Sequence, residues 1–199
     1  LNGNVYAFDS TTIDLCLSVF WWAKFRKTKG GIKVHTLYDV ETQIPTLFHI
    51  TEASVHDSKA MNEISYESDS YYIFDRAYNS FKILFKIHQI KAYYVLRAKK
   101  NLKYKIIKWK RRLPKNVLSD ATIELTGFYP SQYYPEKLRL VRYWDEEQER
   151  EFAFLTNAVH ISALQVAELY KNRWHVELFF KWLKQHLKIK KFWGTSENA

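Results

Sequence analysis

The chain has 199 residues, 47% of them hydrophobic, which is enough to bury a core as one domain carrying a sizeable insertion and too apolar for general disorder. Lys and Arg number 31 against 21 Asp and Glu, a net charge of +10 that calls for a polyanionic partner, with nucleic acid ahead of a membrane surface. The one cysteine, Cys16, excludes a disulfide framework and a Cys-based zinc site and fits a reducing compartment, while no apolar run approaches the ~18 residues of a membrane span.

Residues 5–11 (VYAFDST) form an apolar run ending in a carboxylate, which predicts a buried strand presenting Asp9 at its C-terminal end. Asp is depleted inside strands, so its place needs a reason; taken alone, a turn or cap role beside Ser10 and Thr11 serves as well. Residues 13–25 are apolar without a period and predict a loop or short helix over the sheet. The segment KFRKTKGG then sets Lys24, Arg26, Lys27 and Lys29 before a Gly pair, a fit for a phosphate-contact loop and equally for a solvated charge run. Residues 32–40 and 44–53 alternate across Glu41-Thr42-Gln43, which predicts an antiparallel hairpin carrying His35 and His49. A helix follows from His56-Asp57 to about Ile64, with Ser54 or Asp57 as its cap.

Residues 71–77 (YYIFDRA) repeat the first theme, with Asp75 at the end of an apolar run. A helix over 79–90, capped by Asn79 or Ser80, and a strand over 92–99 complete the first half, so a mixed sheet with packed helices is expected. From about 99 to 157 short β-like segments alternate with basic and Pro-containing turns, which predicts a mainly β insertion. Its front, 99–112, mixes Lys and Arg with Trp109, suiting either nucleic-acid contact or an edge strand guarded by lysines.

Residues 161–187 predict one long closing helix, with Ser162 a candidate cap near its N-terminus. On it Tyr170, Arg173, Glu177, Lys181 and Lys184 share a stripe of roughly 80°. Large apolar residues stand on both sides, Val176, Phe180, Leu183 and Leu187 on one and Trp174, Leu178 and Trp182 on the other, so both flanks read as packing surfaces. A solvated face stitched by i,i+4 pairs would show a single apolar stripe and a broad polar back. The narrow ridge predicts a carboxylate with cationic companions aimed into a groove. Two Asp at strand ends and one Glu on a helix form an all-oxygen donor set for a hard divalent ion. Two such ions ~4 Å apart suit in-line displacement at phosphorus.

The spacing Tyr170-x2-Arg173-x3-Glu177-x6-Lys184 resembles the YREK signature of bacterial insertion-sequence DDE transposases of the cut-and-paste type. AFDST around Asp9 and IFDRAYNS around Asp75 resemble the first and second acidic motifs of that family, and the likeness covers nearly the whole chain. The resemblance implies an α/β fold, an RNase H-like mixed sheet flanked by helices, with the β insertion between the second Asp and the Glu-bearing helix. It implies a single catalytic domain over 1–199 (core 1–98 and 158–190, insertion about 99–157), lacking an N-terminal DNA-binding domain and a C-terminal segment. Asp9, Asp75 and Glu177 become the catalytic, metal-binding triad for two Mg²⁺ ions, with Mn²⁺ as substitute. Tyr170, Arg173 and Lys184 become contacts to the transposon end, and Lys181, Arg76, Lys24, Arg26, Lys27 and Lys29 join them as DNA-binding candidates. An aromatic that stacks on a flipped base in relatives maps to Phe152, with Trp144 as second choice. The expected partners are double-stranded DNA, at transposon ends and target, and a second copy in a homodimeric synaptic complex. No membrane is expected, and the expected location is the bacterial cytoplasm at the nucleoid. The expected activity is Mg²⁺-dependent strand cleavage at transposon ends followed by 3′-OH strand transfer. An RNase H-like nuclease or resolvase without strand transfer, and a non-catalytic domesticated DNA-binding module, are the alternatives.

Overall fold

A computed structural model describes residues 3–15, 24–26 and 29–186. Among these the chain runs β1 (Val5–Leu15), β2 (Lys24–Arg26), β3 (Lys29–Asp39), β4 (Ile44–Glu52), α1 (Asp57–Ala60), β5 (Tyr71–Phe74), α2 (Phe81–Gln89), β6 (Tyr93–Arg97) and β7 (Tyr104–Trp109). It continues through β8 (Val117–Leu125), α3 (Phe128–Tyr133), β9 (Leu138–Asp145), β10 (Arg150–Thr156), α4 (Ala163–Lys171) and α5 (Arg173–His186). The described strands join one sheet in the order β2-β3-β1-β5-β6-β10-β9-β8-β7, with β4 also paired to β3. β1, β5 and β6 run parallel, and the remaining pairings are antiparallel. This is the RNase H-like mixed α/β arrangement, extended on one side by four antiparallel strands.

β5 explains why the centre of the sheet does not alternate: all four residues of YYIF are buried, because both faces are covered. Tyr72 and Phe74 pack with Leu84 and Ile87 of α2, while Tyr71 and Ile73 pack with Val166 and Leu169 of α4. A smaller cluster of Ala7, Tyr38, Val176 and Phe180 seats α5 on β1 and β3. The hairpin β3–β4 forms as expected. Asp39 accepts hydrogen bonds from the N–H groups of Glu41 and Thr42, and Gln43 takes a φ of 58° to close the turn.

Several local readings are corrected. β1 runs on to Leu15, because its antiparallel ladder with β3 continues to Leu15↔Gly30. His56 caps α1 through a bond from the Ser58 N–H, in place of Ser54 or Asp57. The short helix α3 was missed. The expected single helix over 161–187 is divided at Asn172, where Asn172 N–H reaches the Leu169 carbonyl and His175 N–H reaches that of Asn172, so three-residue bonds interrupt the regular ladder. Its start is nevertheless a capping box, with Ser162 and Gln165 bonding reciprocally. Among the described residues one flank of α5 packs: Val176 and Phe180 are buried, whereas Trp174, Leu178 and Trp182 are 50%, 47% and 52% exposed.

Strands β7–β10 extend the core sheet through the pairing Phe154↔Arg97, Leu155↔Leu96 and Thr156↔Val95. A buried ion pair secures this extension. Arg139 of β9 donates twice to Asp120 of β8, at 2.8 and 2.7 Å, and also to the carbonyls of Ala158 and Ile161 that lead into α4. Asn157 bonds the backbone of Ala92 and Tyr94 from the same connection.

Candidate active site

The parallel ladders end together. Phe8↔Phe74 is the last pair of β1 with β5, and Phe74↔Leu96 the last of β5 with β6. The next residue on each strand is therefore Asp9, Asp75 or Arg97, and the three stand in a row along the C-terminal edge. Beyond that edge β1 stays with β3, while the chain after Asp75 turns into a 3-10 turn, Arg76–Tyr78.

The break at Asn172 puts Tyr170 on α4 and the rest of the polar ridge on α5. Arg173 donates to Asp9 Oδ2 at 2.7 Å and to Glu177 Oε1 at 2.5 Å, so one guanidinium ties the strand carboxylate to the helix carboxylate. Tyr170 donates to Asp75 Oδ1 at 3.1 Å, and Lys184 donates to the Thr12 carbonyl at 3.1 Å. Asp9 Oδ1 also accepts from the Ser10 N–H at 2.8 Å. Burial pushes the Asp9 carboxyl up to about 6, against the lowering by Arg173 and the Ser10 N–H, and the neighbouring Asp75 and Glu177 charges raise it further. Among the described residues no three acidic, His or Cys side chains already stand in metal-holding geometry. The guanidinium of Arg173 stands between Asp9 and Glu177. The donor set fits a hard divalent ion in kind: oxygen ligands only, on groups whose mutual repulsion a cation relieves.

The remaining candidates scatter. Lys181 lies over the Trp174 ring at 4.6 Å on the exposed side of α5, and Arg76 is exposed just past Asp75. Phe152 is 5% exposed, with Arg97 and Arg150 over its ring at 4.8 and 4.5 Å and Phe154 stacked beside it. A ring so covered has no face for a base, so the stacking expected of it does not fit this structure; Trp144, 40% exposed, is more open. Lys24 and Arg26 form β2 and Lys29 opens β3, but their side chains, and Lys27 entirely, lie outside the described residues.

Two cavities flank the row of strand ends. One, about 570 Å³, is lined by Arg97, Arg150, Phe154, Tyr170, Arg173, Trp174 and Glu177 among others. The other, about 410 Å³, is lined on its polar side by Arg76, Arg97, Lys99, Lys100, Arg142 and Glu151. Arg97 belongs to both, and sequence reasoning missed it. The rule that picked out Asp9 and Asp75, a polar residue ending a buried parallel strand, also applies to AYYVLRAK.

The model of the family described as Transposase DDE domain matches residues 2–199. The chain belongs to this family. It is 36% identical over 196 residues to y4zB of Sinorhizobium fredii (strain NBRC 101917 / NGR234), named as a transposase, covering 96% of this chain and 54% of that protein. It is 29% identical over 191 residues to the transposase named for insertion sequence element IS5377 of Geobacillus stearothermophilus, covering 96% and 50%. The chain thus spans about half the length of the curated relatives it matches. Among solved structures, a piggyBac transposase synaptic complex with hairpin DNA superposes with a TM-score of 0.53 at 15% identity, covering 96% of this chain and 41% of that one, a likeness of fold. Family membership brings a general dependence on divalent metal. No helix among the described residues is long and apolar enough to cross a membrane.

Proposed function

We propose that this chain is the catalytic domain of a YREK-type insertion-sequence transposase, which cuts DNA at transposon ends and joins the freed 3′-OH to target DNA. The observation that carries this reading is the convergence, through Arg173 and Tyr170, of Asp9, Asp75 and Glu177 from three distant parts of the chain. These carboxylates would hold two Mg²⁺ ions, with Mn²⁺ as substitute. Bound there, the ions would activate the attacking oxygen and stabilise the leaving one.

The protein's own groups do the rest. Asp9 and Asp75 sit at strand ends and Glu177 on a docked helix, so a regular element holds each carboxylate near the other two. Arg173 offers a planar fork matched to phosphate as well as to carboxylate, and is suited to pass from Asp9 and Glu177 to a DNA phosphate when a cation takes over those oxygens. Tyr170 orients Asp75, and Lys184 donates to the Thr12 carbonyl on β1, the strand that carries Asp9. The working form is a homodimer on paired DNA ends in the bacterial cytoplasm, at the nucleoid.

Replacing Asp9, Asp75 or Glu177 by Ala should abolish Mg²⁺-dependent nicking of an end-containing duplex while gel-shift affinity for that duplex is largely kept. Unchanged nicking by any one variant removes that residue from the triad. Joining of a pre-cut 3′-OH end to plasmid separates a transposase from a nuclease of the same fold.

A further inference from the structure

Strand transfer needs two DNA segments at one set of carboxylates, the end that supplies the 3′-OH and the duplex that is attacked. The two cavities differ in the way such a pair requires. The larger one is electrically mixed, with the acids Asp145, Glu147 and Glu177 set against its cations, and among its rings Trp174 stands half exposed while Phe154 and Tyr170 are buried. Rings beside charged groups suit bases in a defined arrangement. The smaller one gathers Arg76, Arg97, Lys99, Lys100 and Arg142 against the single acid Glu151. Arg142 is already engaged by Glu151 through two hydrogen bonds, at 2.5 and 2.8 Å. Arg76, Arg97, Lys99 and Lys100 therefore have no carboxylate partner in the wall of that groove. Tyr104 is the one ring in its lining, and a groove so dominated by cations reads phosphates and ignores sequence.

We propose that the groove between the end of β6 and strands β9 and β10 is the track for target DNA, with Arg76, Lys99 and Lys100 on backbone phosphates. Arg97, shared by both cavities and next in the row after Asp75, marks where the two DNA segments meet. The inference rests on the transposase reading above. It adds which side of the carboxylates the attacked duplex approaches from, and that it is held without sequence readout.

The test uses the full chain with Lys99→Gln and Lys100→Gln combined. Lys100 is exposed, and Lys99 is half-buried at the groove wall. Three readouts are compared: nicking of an end-containing duplex, joining of a pre-cut 3′-OH end to supercoiled plasmid, and salt dependence of binding to a random-sequence duplex. The expected result is near-normal nicking, joining reduced at least about tenfold, and a log–log salt slope for the random duplex shallower by roughly 2 for the double variant. Equal losses of nicking and joining would assign the groove to the transposon end or its donor flank and overturn the proposal. Unchanged joining with an unchanged salt slope would overturn it as well. Wild-type protein that nicks but never joins removes the transposase reading itself, which is a separate failure.

Discussion

At the scale of single residues, burial decides the electrostatics around the candidate site. His35 stands opposite Ser10 in the β1–β3 ladder, is fully buried, and bonds Thr51 at 3.0 Å. Burial lowers its pKa from 6.5 to about 4, and the partial opposition of Asp57 does not restore it. Between those two values the unfolded chain binds a proton that the folded chain refuses. The stability that His35 allows is therefore intact above 6.5 and declines as pH falls toward 4, by at most about 3 kcal/mol from this group. Urea denaturation at pH 7.5 and pH 5 should show this loss in the wild type and a smaller one in His35→Gln. Equal losses in both would mean that other groups carry the acid sensitivity. Asp9 differs in kind, because its raised carboxyl sits against Arg173 and two other acids at the place where the proposed chemistry needs a ligand.

At the scale of elements, α5 carries the site by resting on one face. Val176 and Phe180 meet Ala7 and Tyr38, and this contact sets where Arg173 and Glu177 point. Among the described residues the opposite flank, with Trp174, Leu178 and Trp182, is about half exposed. Phe180→Ala should cost about 3–5 kcal/mol and depress nicking along with stability. Leu178→Ala, on the flank that is 47% exposed, should change stability by no more than about 0.5 kcal/mol. Comparable losses from the two substitutions, measured by thermal denaturation, would show that the exposed flank is covered in solution. Periodicity found the polar ridge of this helix but misjudged its surroundings, because large apolar residues on two flanks look alike in sequence whether or not a partner element is present. The division at Asn172 was equally hidden, since neither Pro nor Gly marks it.

For the molecule as a whole, the strands after β6 help fix the helices that close the site. Arg139 and Asp120 are 3% and 2% exposed, and Arg139 also grips the Ala158 and Ile161 carbonyls ahead of α4. The sheet extension is thereby tied to the approach of Tyr170 and Arg173. Asp120→Ala leaves a buried guanidinium without its counter-charge, and should cost roughly 3–5 kcal/mol. The paired apolar replacement Asp120→Leu with Arg139→Met should recover much of that in urea denaturation. A loss below about 1 kcal/mol for the single variant would show the pair to be solvated and the tie weak.

The sequence by itself determined the apolar runs ending at Asp9 and Asp75, the hairpin between Asp39 and Ile44, the Ser162 cap, and the register of Tyr170, Arg173, Glu177 and Lys184. Each of these depends on neighbours within a turn or a strand, where backbone periodicity and hydrogen-bonding residue types act directly. Only the tertiary structure decided which strands would end side by side, that Arg97 would join their row, that Phe152 would lie covered between two guanidinium groups, and which flank of α5 would find a partner. Those outcomes depend on contacts between distant segments, such as Arg173 with Asp9, 164 residues apart, and no local pattern carries that information.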